Sequence, residues 1–127
     1  MYRIFLLISL FLSSTASYAV QKIQLGVESV NYYPLYGTFD ENDKDSGEYV
    51  GLAADIFRLY NKSQNNFEVE FQPRPIKRLF AEFLKDNSAF DAKFPDNALW
   101  AADMKKDKNV IYSDSVMEYT DGSFVLK

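Results

Sequence analysis

Residues 67–72 read FEVEFQ, apolar and polar in strict alternation, which is the period of a strand with one buried face. Pro73 and Pro75 follow at once. Proline has no amide hydrogen to give a ladder, so the strand is expected to stop there, and Pro75 suits the first residue of a helix. The pattern on both flanks is helical. Residues 51–62, GLAADIFRLYNK, place Leu52, Ile56, Leu59 and Tyr60 on one face, and Ile76, Leu79, Phe80, Phe83 and Leu84 form a second such stripe. A strand held between two amphipathic helices belongs to alternating α/β architecture, and this constrains the fold more than any other feature of the chain.

The remaining segments extend the alternation. Residues 23–27, IQLGV, and 90–94, FDAKF, read as short strands. Residues 49–50 read as a brief returning strand, and 110–112, VIY, as another strand or extended piece. Pro95-Asp96-Asn97 reads as a turn that opens a short helix through Trp100 to Lys105. Asp121-Gly122 reads as a turn, with a final strand over 123–127. The expected fold class is α/β: a mostly parallel sheet flanked by helices on both faces. Ligands of such sheets bind beyond the carboxyl ends of the strands. Here those ends lead into Tyr32-Tyr33, Arg74 and Pro95-Asp96-Asn97. Residues 40–48, DENDKDSGE, form an acidic loop that misses the calcium-loop pattern with its Gly at position six: counted from Asp43, Gly47 falls fifth, and counted from Asp40 the sixth residue is Asp45.

The N-terminus has a separate logic. A short basic start, the apolar run IFLLISLFL and the small residues SSTASYA follow the order of a secretory signal peptide. The apolar run is well short of the roughly 20 residues needed to span a bilayer. Cleavage is expected after Ala19, which divides the chain into a signal at 1–19 and one domain at 20–127 in a periplasmic or secreted location. The sequence contains no cysteine and no histidine. No disulfide framework is therefore possible, and both Cys–His and Ser–His–Asp catalysis are excluded within this chain. Carboxylate chemistry remains open but has no supporting motif, so the expectation is a non-enzyme without cofactors. A formal net charge of −4 with no basic cluster argues against nucleic acid.

In order and spacing, the chain resembles the extracellular solute-binding proteins of amino-acid-type uptake systems. The resemblance rests on Tyr32-Tyr33-Pro34-Leu35 after the first strand, the polar Lys44-Asp45-Ser46-Gly47, and Gly51-Leu52-Ala53-Ala54-Asp55-Ile56 at a helix start. It continues through Val69-Glu70-Phe71, Lys77-Arg78-Leu79, Val110-Ile111-Tyr112-Ser113 and Asp121-Gly122-Ser123-Phe124-Val125-Leu126. The resemblance implies two α/β lobes that close on a ligand, with residues 20–127 matching the first lobe only, as though truncated before the second. It further implies a small polar solute as ligand and a membrane permease as partner. One departure concerns the ligand. Where amino-acid binders carry Thr and then Arg, this chain reads Asp103 to Lys108, and Lys106 is nearest in spacing. A lysine lacks the bidentate fork of arginine.

Each candidate site residue has a functional and a structural reading. Tyr32 and Tyr33 fall where the resemblance places a pocket wall, or else pack beside Pro34. Arg74, Lys77 and Arg78 place positive charge at a helix start, against the dipole, which invites a compensating anion from ligand or protein. The resemblance favours Arg78 as a ligand group. Asp96, Asn97 and Trp100 follow the third strand and either face a ligand or cap a helix. Ser113 either bonds a ligand or caps a turn. Asp55 is read as a favourable dipole charge, and Asn61-Lys62-Ser63 as a glycosylation sequon without consequence in a bacterial protein. The expected function is periplasmic binding of a small polar solute, with weak affinity for a single lobe and self-association through an uncovered sheet edge. The alternative is a vestigial or structural envelope protein that keeps the lobe fold without binding.

Overall fold

Strand β1 (Gln21–Glu28) is the centre of the sheet in the computed structural model, which describes residues 19–38 and 47–118 with Thr120 and Gly122. Residues 1–18 of the expected export signal, 40–46 of the acidic loop, Asp121 of the final turn and the expected strand over 123–127 lie outside the described residues. After β1 come β2 (Gly37–Thr38), β3 (Tyr49–Val50), α1 (Leu52–Ser63), β4 (Phe67–Arg74), α2 (Ile76–Phe83), β5 (Ala92–Phe94) and α3 (Ala102–Lys105). The main sheet has the order β4-β1-β5 and is wholly parallel, while β2 and β3 form a small antiparallel pair.

The strand order determines which face each helix covers. The chain moves from β1 outward to β4, then back past β1 to β5. Parallel crossovers are right-handed, so a reversal of direction sends the two crossing helices to opposite faces. Alternation along β1 agrees with this. Leu25 and Val27 face α1 and join Val69, Tyr36, Tyr49, Ala53 and Ala54 in one core. Gly26 faces the other way: a Cβ built there would stand 2.6 Å from Leu79 Cδ1 of α2 and 3.1 Å from the Phe90 ring. Glycine is required because α2 lies this close to the strand.

Helix α1 does not bury the face expected from its largest residues. Leu52, Leu59 and Tyr60 are exposed and Ile56 is half-buried, whereas Ala53 and Ala54 are fully buried. The reason is the floor beneath them, which is aromatic. Phe57 meets Phe71 and Phe94 edge-on, with centroids 6.0 and 5.5 Å apart, and Tyr49 lies 5.0 Å from Phe71. Phe57 is thus the large side chain that α1 turns toward these rings, and Ala53 and Ala54 beside it let the helix backbone come close. The helix starts without a side-chain cap. Instead the carbonyls of Pro34 and Leu35 accept the amides of Leu52 and Ala53 at 3.0 and 2.9 Å, which satisfies two of the free donors of its first turn.

Strand β4 runs through Pro73 to Arg74 rather than stopping at Pro73. Among the described residues it pairs only with β1, and its outward groups are largely met from α1 and the turn that follows. Asn61 Nδ2 donates to Val69 O at 3.0 Å and Val69 N–H donates to Asn61 Oδ1 at 2.8 Å. Gln64 makes the same two bonds with Phe67, at 2.6 and 2.9 Å. Pro73 shares the parity of Phe67 and Val69, so its missing N–H falls on this outer side and costs no bond to β1. Two amides and a proline thus blunt the edge.

Two further expectations are corrected. The helix expected through Trp100 is confined to Ala102–Lys105, because Ala101 takes a left-handed conformation with φ 50°. Residues 110–112 form no strand; they run as an irregular segment with Ile111 and Tyr112 exposed.

Candidate functional site

The carboxyl ends of β1 and β5 each deliver one charged residue to the α2 face. Glu28 ends β1 on the parity of Gly26, and Lys93 of β5 stands opposite Gly26 in the register. Lys93 Nζ lies 3.5 Å from Glu28 Oε1, donates to the Pro95 carbonyl, and sits 4.0 Å from the centroid of the Phe80 ring. The two side chains are 1% and 6% exposed. Burial lifts the Glu28 carboxyl above its ordinary 4.5, with Lys93 pulling the other way. Burial lowers the Lys93 ammonium below its ordinary 10.5, against the attraction of Asp96 and Glu28.

A second lysine closes the turn that follows. Lys105 Nζ donates to Asp96 Oδ1 at 2.7 Å, to the Asn97 carbonyl at 2.8 Å and to the Tyr112 hydroxyl at 2.9 Å. A lysine ammonium has three donors, so all of them are used. Its charge is favoured on balance: burial opposes it, but the bonds from Asp96 and Tyr112 outweigh that and raise its pKa. Asn97 organises the turn through its side chain, whose Oδ1 accepts the amides of Leu99 and Trp100 at 2.8 and 3.2 Å. This is an Asx-type turn rather than a helix cap.

Beyond these groups lies an open groove of about 1310 Å³. One wall is β5 with its following turn, and the other is the irregular segment 110–118. Asp96, Asn97, Trp100 and Ser113 line it together, with Lys93 and Tyr112. Trp100 is half-buried and is the chain's single tryptophan. The groove runs along β5 and past its carboxyl end, and no residue of β1 lines it. The carboxyl ends of strands are where open parallel sheets bind ligands.

The other three candidates lie elsewhere. Tyr32 stacks on Tyr36 with centroids 5.7 Å apart and planes at 16°, and Tyr36 in turn meets the Phe94 ring edge-on. Tyr33 is exposed in the same turn. Neither tyrosine lines the groove. Arg78 lies on the exposed side of α2, where Nε donates to Glu82 Oε1 at 2.7 Å. Glu82 also stands 3.5 Å from Arg74 Nε, so one carboxylate answers two of the cations at the helix start. Its own pKa is lowered, chiefly by the Arg78 hydrogen bond.

Glu28, Lys93, Lys105 and Tyr112 were not anticipated as site residues. The sequence carries a signal for two of them. Glu28 is an acid that directly follows the apolar end Leu25-Gly26-Val27 of its strand, and Lys93 is a lysine inside FDAKF, on the parity opposite Ala92 and Phe94. Lys106, singled out by spacing, is exposed, and its neighbour Lys105 is the one turned inward. Among the described residues, no group of three or more carboxylates comes together as a metal site would need. No protein-family model, no curated protein and no solved structure matches this chain, so its function has to be argued from the groove itself.

Proposed function

We propose that the chain is a solute-binding lobe of the periplasmic type, which takes a small polar molecule in the groove alongside and beyond β5 without transforming it. One observation carries this reading: Asp96, Asn97, Trp100 and Ser113 line a single groove that reaches past the carboxyl end of β5, a strand of the parallel sheet. An aromatic face beside a few fixed polar groups is the usual make-up of a small-molecule site. The α/β lobe, the export signal read at residues 1–19 and the order of motifs are consistent with the same reading, as is a membrane permease as eventual partner. The groove is open on one side, so the ligand keeps much of its surface in water and affinity is low.

Trp100 provides the test, because it is the only indole in the chain. Titration of the protein with a panel of amino acids, sugars, polyamines and small organic acids should produce a saturable change in tryptophan fluorescence with at least one class. A flat response to the entire panel at millimolar concentrations would contradict the proposal.

A second reading has its own support. Lys105 has no donor left over, and Lys93 is committed to Glu28 and Pro95. Charges that satisfy one another in this way also suit a structural envelope protein that keeps the lobe and binds nothing.

A further inference from the structure

We infer that Lys105 is the positioning residue of the groove: through the Tyr112 hydroxyl it latches residues 113–116, part of the wall that faces β5, as a strap. The consequence for ligand exchange rests on the solute-binding reading above, whereas the latch itself rests on geometry alone.

The strap has little of its own to hold it. Ser113, Asp114, Ser115 and Val116 are all exposed and belong to no helix or strand. Their side-chain bonds are local: Ser113 Oγ donates to Asp114 O at 2.8 Å, and Ser115 Oγ to Met117 O at 3.4 Å. Its apolar neighbours do not dock, since Ile111 is 86% and Val116 is 48% exposed. The segment is fixed at its two ends. Met117 packs against the core, and Tyr112 hydrogen-bonds Lys105. Met117 is an apolar contact that tolerates sliding, whereas the Tyr112 bond is directional and charge-assisted.

Lys105 is suited to hold that bond. Its side chain is 8% exposed, and two of its donors are spent on the turn after β5. The third reaches across to the opposite wall. One ammonium therefore fixes the distance between the two sides of the groove. A hydrogen bond to a charged group is worth enough that its loss should raise the open population about tenfold or more. A solute entering between Trp100 and Ser113 would then meet a looser wall and leave faster.

Backbone ¹⁵N relaxation on the ligand-free protein separates the latch from the binding question. In the parent, order parameters for residues 113–116 should approach the rigid value of about 0.85, and in Tyr112→Phe they should fall below about 0.6, with α1, α2 and β1 unchanged. Tyr112→Phe keeps the ring and removes only the hydroxyl. Lys105→Met, which keeps an apolar stem of similar length, should loosen the same four residues. Unchanged order in Tyr112→Phe, or a strap already below about 0.6 in the parent, would overturn the latch. A strap that loosens in both variants, with no solute response from Trp100 in any of the three proteins, would uphold the latch and count against solute binding instead.

Discussion

Lys93 and Glu28 face each other at 3.5 Å with neither side chain more than 6% exposed, at the ends of adjacent parallel strands. Burial of this pair makes stability depend on pH, with a sign that can be worked out. The Glu28 carboxyl is raised above its ordinary 4.5, chiefly by burial, so folding favours its protonated form. That contribution is complete below the unfolded value and is lost as pH rises through the folded one. Thermal unfolding of the parent and Glu28→Gln between pH 4 and 8 should therefore show the parent losing ground to the variant as pH increases. A parent that gains on the variant over that range would mean the ion pair outweighs desolvation.

Gly26 tests how closely α2 lies on the sheet. A methyl at this position meets Leu79, which is fully buried and has nowhere to swing, and the ring of Phe90. Gly26→Ala should cost about 1–3 kcal/mol in denaturant unfolding, the usual range for overpacking. A change below about 0.5 kcal/mol, the level of an ordinary surface substitution, would mean the helix stands further off than described.

Asn61 is the clamp on the sheet's edge. Asn61→Leu removes both bonds to the Val69 peptide and leaves an outward N–H and C=O in a partly covered place. The expected loss is about 1–3 kcal/mol, accompanied by a rise in self-association measured by sedimentation velocity, because the edge is opened to other chains. A variant as stable and as monomeric as the parent would show that the clamp does not matter. This structure also narrows the self-association expected from sequence: β4 is blunted by Asn61, Gln64 and Pro73, which leaves β5 as the edge to examine.

Tyr49 provides an opposite case. Its hydroxyl is buried and has no hydrogen-bond partner among the described residues, and burial raises its pKa. Tyr49→Phe should therefore be neutral or stabilising by up to about 1 kcal/mol. A clear loss of stability on chemical denaturation would reveal a partner for the hydroxyl.

Much of the architecture was legible because it follows from period. FEVEFQ between two helical stripes implies an α/β unit, and Leu79 and Phe80 are buried as their spacing indicates. The face of α1 was not legible in the same way. Hydrophobic size points to Leu52, Leu59 and Tyr60, but the aromatic floor made by Tyr49, Phe71 and Phe94 comes from three distant segments and takes Ala53, Ala54 and Phe57 of the helix instead. Of the two readings of 110–112, strand or extended piece, the strand failed for a related reason. Among the described residues its apolar run pairs with no strand, and Tyr112 is drawn instead to Lys105.

The groove was half legible. Asp96, Asn97 and Trp100 follow a strand end, and that position alone marks them. Ser113 reaches the same groove through the fold of the irregular segment. Lys93 and Lys105 escaped notice because lysine in a sequence reads as surface, and only the parity with Gly26 and the turn at Asn97 bring these two inside. Arg78 illustrates the converse. Its charge at a helix start does find an anion, and in the structure that anion is Glu82 one turn later.

The most direct test of the central claim is a ¹H–¹⁵N correlation map of the protein titrated with the same solute panel. For at least one class of solute, saturable shifts should cluster at Asn97, Ser113 and the Trp100 indole, with Tyr33 and Arg78 unmoved. Shifts confined to residues outside the groove, or none at the highest concentration of any solute, would contradict solute binding in the groove beside β5.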